Sequence, residues 1–137
     1  MPKAIKATIL VVDDEPRIAD TLAIILRQAG YAVHAVYNGE DALASIAAHP
    51  PSLVIMDVVM PGIDGIEVAK LLREAHPNLL VLLFSGNADT QQMLDKAEQR
   101  GDAFEILAKP VPPPQMLAKI ASLLDQISFS IANQDRV

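Results

Sequence analysis

Leu53-Val54-Ile55-Met56-Asp57-Val58-Val59-Met60-Pro61-Gly62-Ile63-Asp64-Gly65 is the stretch that decides the fold. It opens as an apolar run without alternation, the pattern of a strand buried on both faces in a helix-covered parallel sheet. The run stops on a carboxylate, Asp57, and the loop formers Pro61, Gly62, Asp64 and Gly65 follow. Asp57 is therefore expected at the carboxyl end of a buried strand. That edge of an open α/β sheet is where ligands bind. The bland alternative is a carboxylate that only satisfies loop amides.

Four further strands and five helices flank this centre. Ile9 to Val12 is a β-branched run ending at Asp13-Asp14-Glu15, and Pro16 suits the first turn of a helix that Gly30 stops. Ile18, Leu22, Ile25 and Ala29 recur at helical spacing. Ala32 to Val36 is a second strand, and Glu40 to His49 a second helix closed by Pro50-Pro51. Beyond the central strand, Ile66 to His76 reads as a helix with Val68, Leu71, Leu72 and Ala75 inward. Leu79 to Phe84 is an interior strand ending at Ser85-Gly86-Asn87, and Thr90 to Arg100 a polar helix. Phe104 to Ala108 is the fifth strand, ending at Lys109-Pro110. Gln115 to Ile127 is the fifth helix, with Met116, Ile120, Leu123, Leu124 and Ile127 inward, and Ser128 to Val137 is read as a polar tail. The βα alternation predicts one α/β domain over residues 1–127, with a parallel sheet and helices on both faces.

Composition narrows the function. A chain of 137 residues has room for one core and needs no staple to fold. It has no cysteine, which removes disulfides and thiolate metal sites. The net charge is -6 and no Lys/Arg cluster occurs, so direct nucleic-acid binding is not expected. No apolar stretch is long enough for a signal core or a membrane span, and a soluble cytoplasmic protein is expected.

The strand ends carry the chemistry. Asp13-Asp14, Asp57, Ser85 and Lys109 each terminate or follow a strand, and in a parallel sheet these ends share one edge. Helix capping before Pro16 is the bland account of Asp13-Asp14, but it leaves the other three positions unexplained. Carboxylates ~4 Å apart repel by roughly 4 kcal/mol per pair at an effective dielectric of about 20, and a bound cation relieves this. Hard oxygen donors without cysteine or placed histidine select Mg²⁺ or Mn²⁺. A lysine and a hydroxyl across from such an ion suit a phosphate, and the chemistry implied is phosphoryl transfer to a carboxylate. His34, His49 and His76 share no ligand spacing and read as surface or packing residues. Met56 and Met60 read as core filler.

Taken together, Val12-Asp13-Asp14-Glu15, Met56-Asp57-Val58-Val59-Met60-Pro61-Gly62-Ile63-Asp64-Gly65, Phe84-Ser85-Gly86 and Ala108-Lys109-Pro110 resemble the receiver domain of bacterial two-component response regulators, over roughly Ala7 to Ile127. The resemblance implies a CheY-like, flavodoxin-like (βα)5 fold with strand order 2-1-3-4-5. It implies that Asp57 accepts a phosphoryl group from a phosphohistidine on a sensor histidine kinase or phosphotransfer protein. Asp14, Asp57 and the Val59 backbone carbonyl would ligate Mg²⁺, with Asp13 acting through water. Lys109 would bond the phosphoryl oxygen, and Ser85 would carry the signal to the face of the fourth helix, fifth strand and fifth helix. A protein partner would read that face, with the chain a monomer or a phosphorylation-dependent dimer. The Lys109-Pro110 peptide is cis in similar proteins. The family usually places an aromatic switch ring where this chain has Ile106, so the output face is expected to respond by backbone and helix movement. Val59 and Asn87 occupy positions that tune phosphoryl lifetime, and Val59 implies slow self-hydrolysis.

The resemblance thus implies a signalling phosphoacceptor and not an enzyme acting on other substrates. Three alternatives stand beside it. A dehalogenase-type aspartyl phosphatase needs a second Asp where Val59 stands. A nucleotide-binding domain needs a glycine-rich loop where Asp13-Asp14-Glu15 stands. A degenerate receiver would use the same fold only for protein interaction.

Overall fold

The computed structural model describes residues 7–58, 60, 65–85, 105–109 and 111–134, with the backbone alone for 108 and 126–134. Five strands, β1 (Thr8–Val12), β2 (Ala32–Val36), β3 (Leu53–Asp57), β4 (Leu80–Ser85) and β5 (Glu105–Ala108), form one parallel sheet in the order β2-β1-β3-β4-β5. Helices α1 (Pro16–Gln28), α2 (Gly39–Ala48), α3 (Gly65–Ala75) and a C-terminal helix (Pro113–Gln134) are described. The helix expected over residues 90–100 lies outside the described residues.

Both faces of the sheet are covered, and the side-chain alternation of the strands divides the core into two layers. On one face Leu10, Val12, Val54, Met56, Val81 and Leu83 pack with Ala42 and Ile46 of α2 and Val68, Ala69 and Leu72 of α3. On the other Ile9, Val11, Leu53, Ile55, Leu82 and Phe84 pack with Ala19 and Leu26 of α1 and Met116, Ile120 and Leu123 of the C-terminal helix. The unalternating runs seen in the sequence are thus strands buried on both faces. Fully burying each such aliphatic side chain contributes about 1.5–3 kcal/mol.

Local signals set the helix ends. Pro16 begins α1. Its end is fixed by Gly30 at φ 104°, where the Gly30 and Tyr31 amides donate to the carbonyls of Arg27 and Leu26. The Asn38 side chain caps α2 by accepting from the Asp41 amide at 2.7 Å.

Two expectations, for α3 and for the C-terminal helix, need correction. On α1, Ile18, Leu22, Ile25 and Ala29 are half-buried, with Leu22, Ile25 and Ala29 packed against the second layer, while Ala19, Ala23 and Leu26 are fully buried. Small alanines let this helix lie close to the sheet, so its large neighbours become shoulders. On α3, Leu71 is 45% exposed and Ala75 is exposed, and the buried face is Ile66, Val68, Ala69 and Leu72. The C-terminal helix does not end at Ile127 but continues to Gln134, because no Gly or Pro follows Pro114 to stop it.

Among the described residues no helix is long and apolar enough to cross a membrane.

Candidate functional site

The strand register builds the site. Val12 pairs with Met56, so Asp13, the next residue, lies level with Asp57 at the carboxyl edge. Asp57 pairs with Phe84 and Ser85 with Ala108, so Ser85 and then Lys109 follow one step further along the same edge. Backbone bonds continue the ladder past its formal end. The Asp13 amide donates to the Val36 carbonyl at 3.2 Å, that of Val58 to Phe84 at 2.9 Å, and that of Lys109 to Ser85 at 2.7 Å. The candidate site residues are therefore held at the end of the hydrogen-bonded sheet.

Side chains then converge. Carboxylate oxygens of Asp13, Asp14 and Asp57 all lie within 4.8 Å of one another. The Lys109 ammonium donates to Asp57 Oδ2 at 2.7 Å and sits 3.5 Å from Asp13 Oδ2. Asp13 is buried, at 3% exposure, and its Oδ1 accepts from the Glu15 amide at 2.9 Å. Helix capping does not account for Asp13, since the N-cap of α1 is Glu15 and carries no side-chain cap bond; one Asp13 oxygen holds the Glu15 amide and the other faces the lysine.

Electrostatics follow from this packing. Burial pushes the Asp13 carboxyl above its ordinary range. The Glu15 amide and the Lys109 charge pull it down, and the neighbouring Asp57 and Asp14 charges push it further up. For Lys109, burial works against the cation, but the hydrogen bond and charge of Asp57, aided by Asp13, outweigh it and raise the pKa. The ammonium is accordingly held charged at neutral pH.

The donor set fits a hard divalent cation. It presents three carboxylates at the spacing of shared ligation, in a chain without cysteine. No other group of three or more potential ligands occurs among the described residues. His34 and His49 are exposed and His76 is half-buried on separate elements, outside this cluster. Met56 and Met60 are core residues at 0% and 7% exposure.

Residues 9–121 match the family model of the response regulator receiver domain. The chain belongs to this family. The DNA-binding response regulator MtrA of Mycolicibacterium smegmatis is 32% identical over 116 residues, covering 85% of this chain and 50% of that protein. The nitrogen assimilation regulatory protein NtrX of Azorhizobium caulinodans is 36% identical over 104 residues, covering 74% of this chain and 22% of its own. A CheY-like receiver domain protein from Methanospirillum hungatei superimposes with a TM-score of 0.83 at 27% identity, covering 93% of this receiver and 99% of the other chain. The receiver described here spans about half the length of the first curated relatives it matches. The five-stranded order 2-1-3-4-5 and the CheY-like architecture expected from the sequence are those observed.

The structure brings together Asp13, Asp14, Asp57 and Lys109, and Ser85 stands at the adjacent strand end, half-buried. Ile106 lies in β5, partly buried against the layer that contains Leu83. Val59, Asn87 and Pro110, and with Pro110 the expected cis peptide, lie outside the described residues. Two features escaped the sequence reading. The Tyr37 hydroxyl donates to Asp20 Oδ1 at 2.7 Å, tying the end of β2 to α1. No residue spacing signals that pair. Gly65, read as a loop residue, is the first residue of α3.

Proposed function

We propose that this receiver is a phosphorylation switch in which Asp57 is the phosphoacceptor. The observation that carries the reading is the Lys109 ammonium, 2.7 Å from Asp57 Oδ2 within a cluster of three carboxylates. An Asp57 oxygen attacks the phosphorus of a phosphohistidine on a sensor kinase or phosphotransfer protein. The new P–O bond forms as the P–N bond breaks, the histidine nitrogen keeps the electron pair and takes up a proton, and Asp57 becomes an acyl phosphate. Lys109 offsets the charge on the transferred group, and Ser85 supplies a hydroxyl donor to it. Asp14, Asp57 and the Val59 carbonyl would hold Mg²⁺, with Asp13 acting through water. When bound, the ion neutralises the carboxylates and the phosphoryl oxygens.

The output is read on β5, the C-terminal helix and the segment 90–100. Ile106 on β5 offers no aromatic ring, so backbone movement carries the change. The curated relative MtrA is a DNA-binding regulator. The net charge of -6 supports protein contacts, not nucleic-acid contacts, for this receiver. The receiver unit carries the whole C-terminal helix, which continues past Ile127 to Gln134.

Intact-mass measurement after incubation with Mg²⁺ and acetyl phosphate tests the reading. The wild-type chain gains one phosphoryl group, the gain is lost with EDTA, and Asp57→Asn gains none. A wild-type chain that binds Mg²⁺ yet gains no mass from acetyl phosphate or from a phosphohistidine donor sinks it.

A further inference from the structure

The geometry points to Gly65 as a positioning residue for the phosphoacceptor, an inference that rests on the function proposed above. A Cβ on Gly65 would meet the carbonyl oxygen of Asp57 and come within 2.8 Å of the Val58 Cα and 3.1 Å of the Asp57 carbonyl carbon. These are backbone atoms of the phosphoacceptor's own peptide, and no flexible side-chain tip is available to give way. Gly65 is the first residue of α3, and the only positive-φ glycine among the described residues is Gly30. The requirement at 65 is therefore one of space and not of backbone conformation. In an ordinary helix interior alanine is favoured over glycine. Here the contact forbids it.

The contact is also bonded. The Gly65 amide donates to the Val58 carbonyl at 2.7 Å, while the Val58 amide donates to the Phe84 carbonyl of β4 at 2.9 Å. Val58 is thus clamped from both sides, by the sheet and by the start of α3. Its side chain is 0% exposed in the α2–α3 layer, and Ile66 and Val68 of α3 are buried in the same layer. The residue so held follows directly on Asp57, whose carboxylate would hold the proposed ion. Any side chain at 65 must displace either α3, which its buried face resists, or the Asp57–Val58 peptide. Displacing the peptide moves Asp57 relative to Asp13, Asp14 and Lys109. Supporting contacts outside a metal's ligands typically change affinity by about 10–100-fold when lost.

The test compares two glycine-to-alanine variants of the full chain. Gly30→Ala strains a helix cap and serves as a control for general loss of stability. Gly65→Ala strains the site. For each, the unfolding midpoint is measured in EDTA and across a Mg²⁺ titration, and phosphoryl incorporation from acetyl phosphate is followed by mass. Expected for Gly65→Ala is Mg²⁺ binding weakened by about tenfold or more, with slower incorporation. Gly30→Ala should keep wild-type Mg²⁺ affinity in its folded fraction. If Gly65→Ala loses stability but binds Mg²⁺ like Gly30→Ala, the positioning role is overturned and the function proposed above stands. A wild-type chain that binds no Mg²⁺ overturns both. Amide NMR of the wild type gives a reading that needs no variant. The Gly65 and Val58 amides should shift together as Mg²⁺ saturates, and unmoved amides in a chain that binds the ion reject the clamp.

Discussion

The interior of this sheet and its carboxyl edge are made by the same strands, yet they obey opposite rules. In the interior, Ile55 and Leu82 on neighbouring strands are 1% and 0% exposed and belong to an apolar layer. There burial is favourable without condition. A few ångströms further along, Asp13 is nearly as buried, at 3% exposure, and burial raises its pKa because the charged form is disfavoured. The edge keeps a group that the interior would reject, partly compensated by the Glu15 amide and Lys109. Stability in this receiver is therefore generated in the two apolar layers, and the candidate site lies at an edge where burial works against it.

Asp57→Asn is the sharpest way to separate the two regions. It should abolish phosphoryl incorporation completely while leaving the unfolding midpoint in EDTA unchanged or raised, since an acidic cluster has lost one charge. Mass spectrometry beside thermal denaturation checks both halves of that expectation. Leu82→Ala is the reciprocal change. It should cost roughly 2–5 kcal/mol in urea unfolding, because truncating a fully buried leucine leaves a cavity, while the folded fraction still accepts phosphate at the wild-type rate. A Leu82→Ala protein with normal stability would break the assignment of stability to the layers.

What the sequence made legible follows the same division. Runs such as Leu53 to Met56 and Leu79 to Phe84 announced buried strands, and their polar ends announced the edge, because a parallel sheet aligns strand ends without any local motif. Side-chain contacts across the edge were not legible. That Lys109 reaches both Asp57 and Asp13 depends on the stagger of register through β4, which no spacing in the chain encodes. The tightest contact of α1 was not legible from side-chain size, since the small Ala19 and Ala23 occupy it. Gly65 looked like a turn residue beside Pro61 and Gly62. Its purpose appears only when α3 is seen against the Asp57 carbonyl. The helix end at Gln134 was hidden by serines at 128 and 130, which favour solvent but do not break a helix.

Lys109→Ala probes the link between the regions with a smaller effect. Removing one fixed charge from the reacting group should slow incorporation by about 10²-fold. Asp57 would still be phosphorylated, but the output face would no longer respond. Normal partner binding by the phosphorylated variant would remove Lys109 from the switch.

The smallest effect is also the most direct measure of the cost of the edge. The raised native pKa of Asp13 means that the folded chain holds its proton to higher pH than the unfolded chain does. Between the ordinary carboxylate value of 3.8 and the raised native value, the native state binds more protons, so stability falls as pH rises through that window. Above the window the penalty is constant. Asp13→Asn keeps an oxygen for the Glu15 amide and leaves Asp57 to Lys109, but has no charge to bury. It should match wild type in acid and be more stable than wild type at neutral pH without divalent ions. Mg²⁺ should shrink or reverse that advantage, because the ion stabilises the charged cluster that the variant lacks. Urea unfolding from acid to neutral pH, in EDTA and then in Mg²⁺, reads all of this in one experiment. Parallel wild-type and variant profiles in EDTA would mean that burying Asp13 costs the fold nothing, and the opposition between interior and edge would lose its energetic basis.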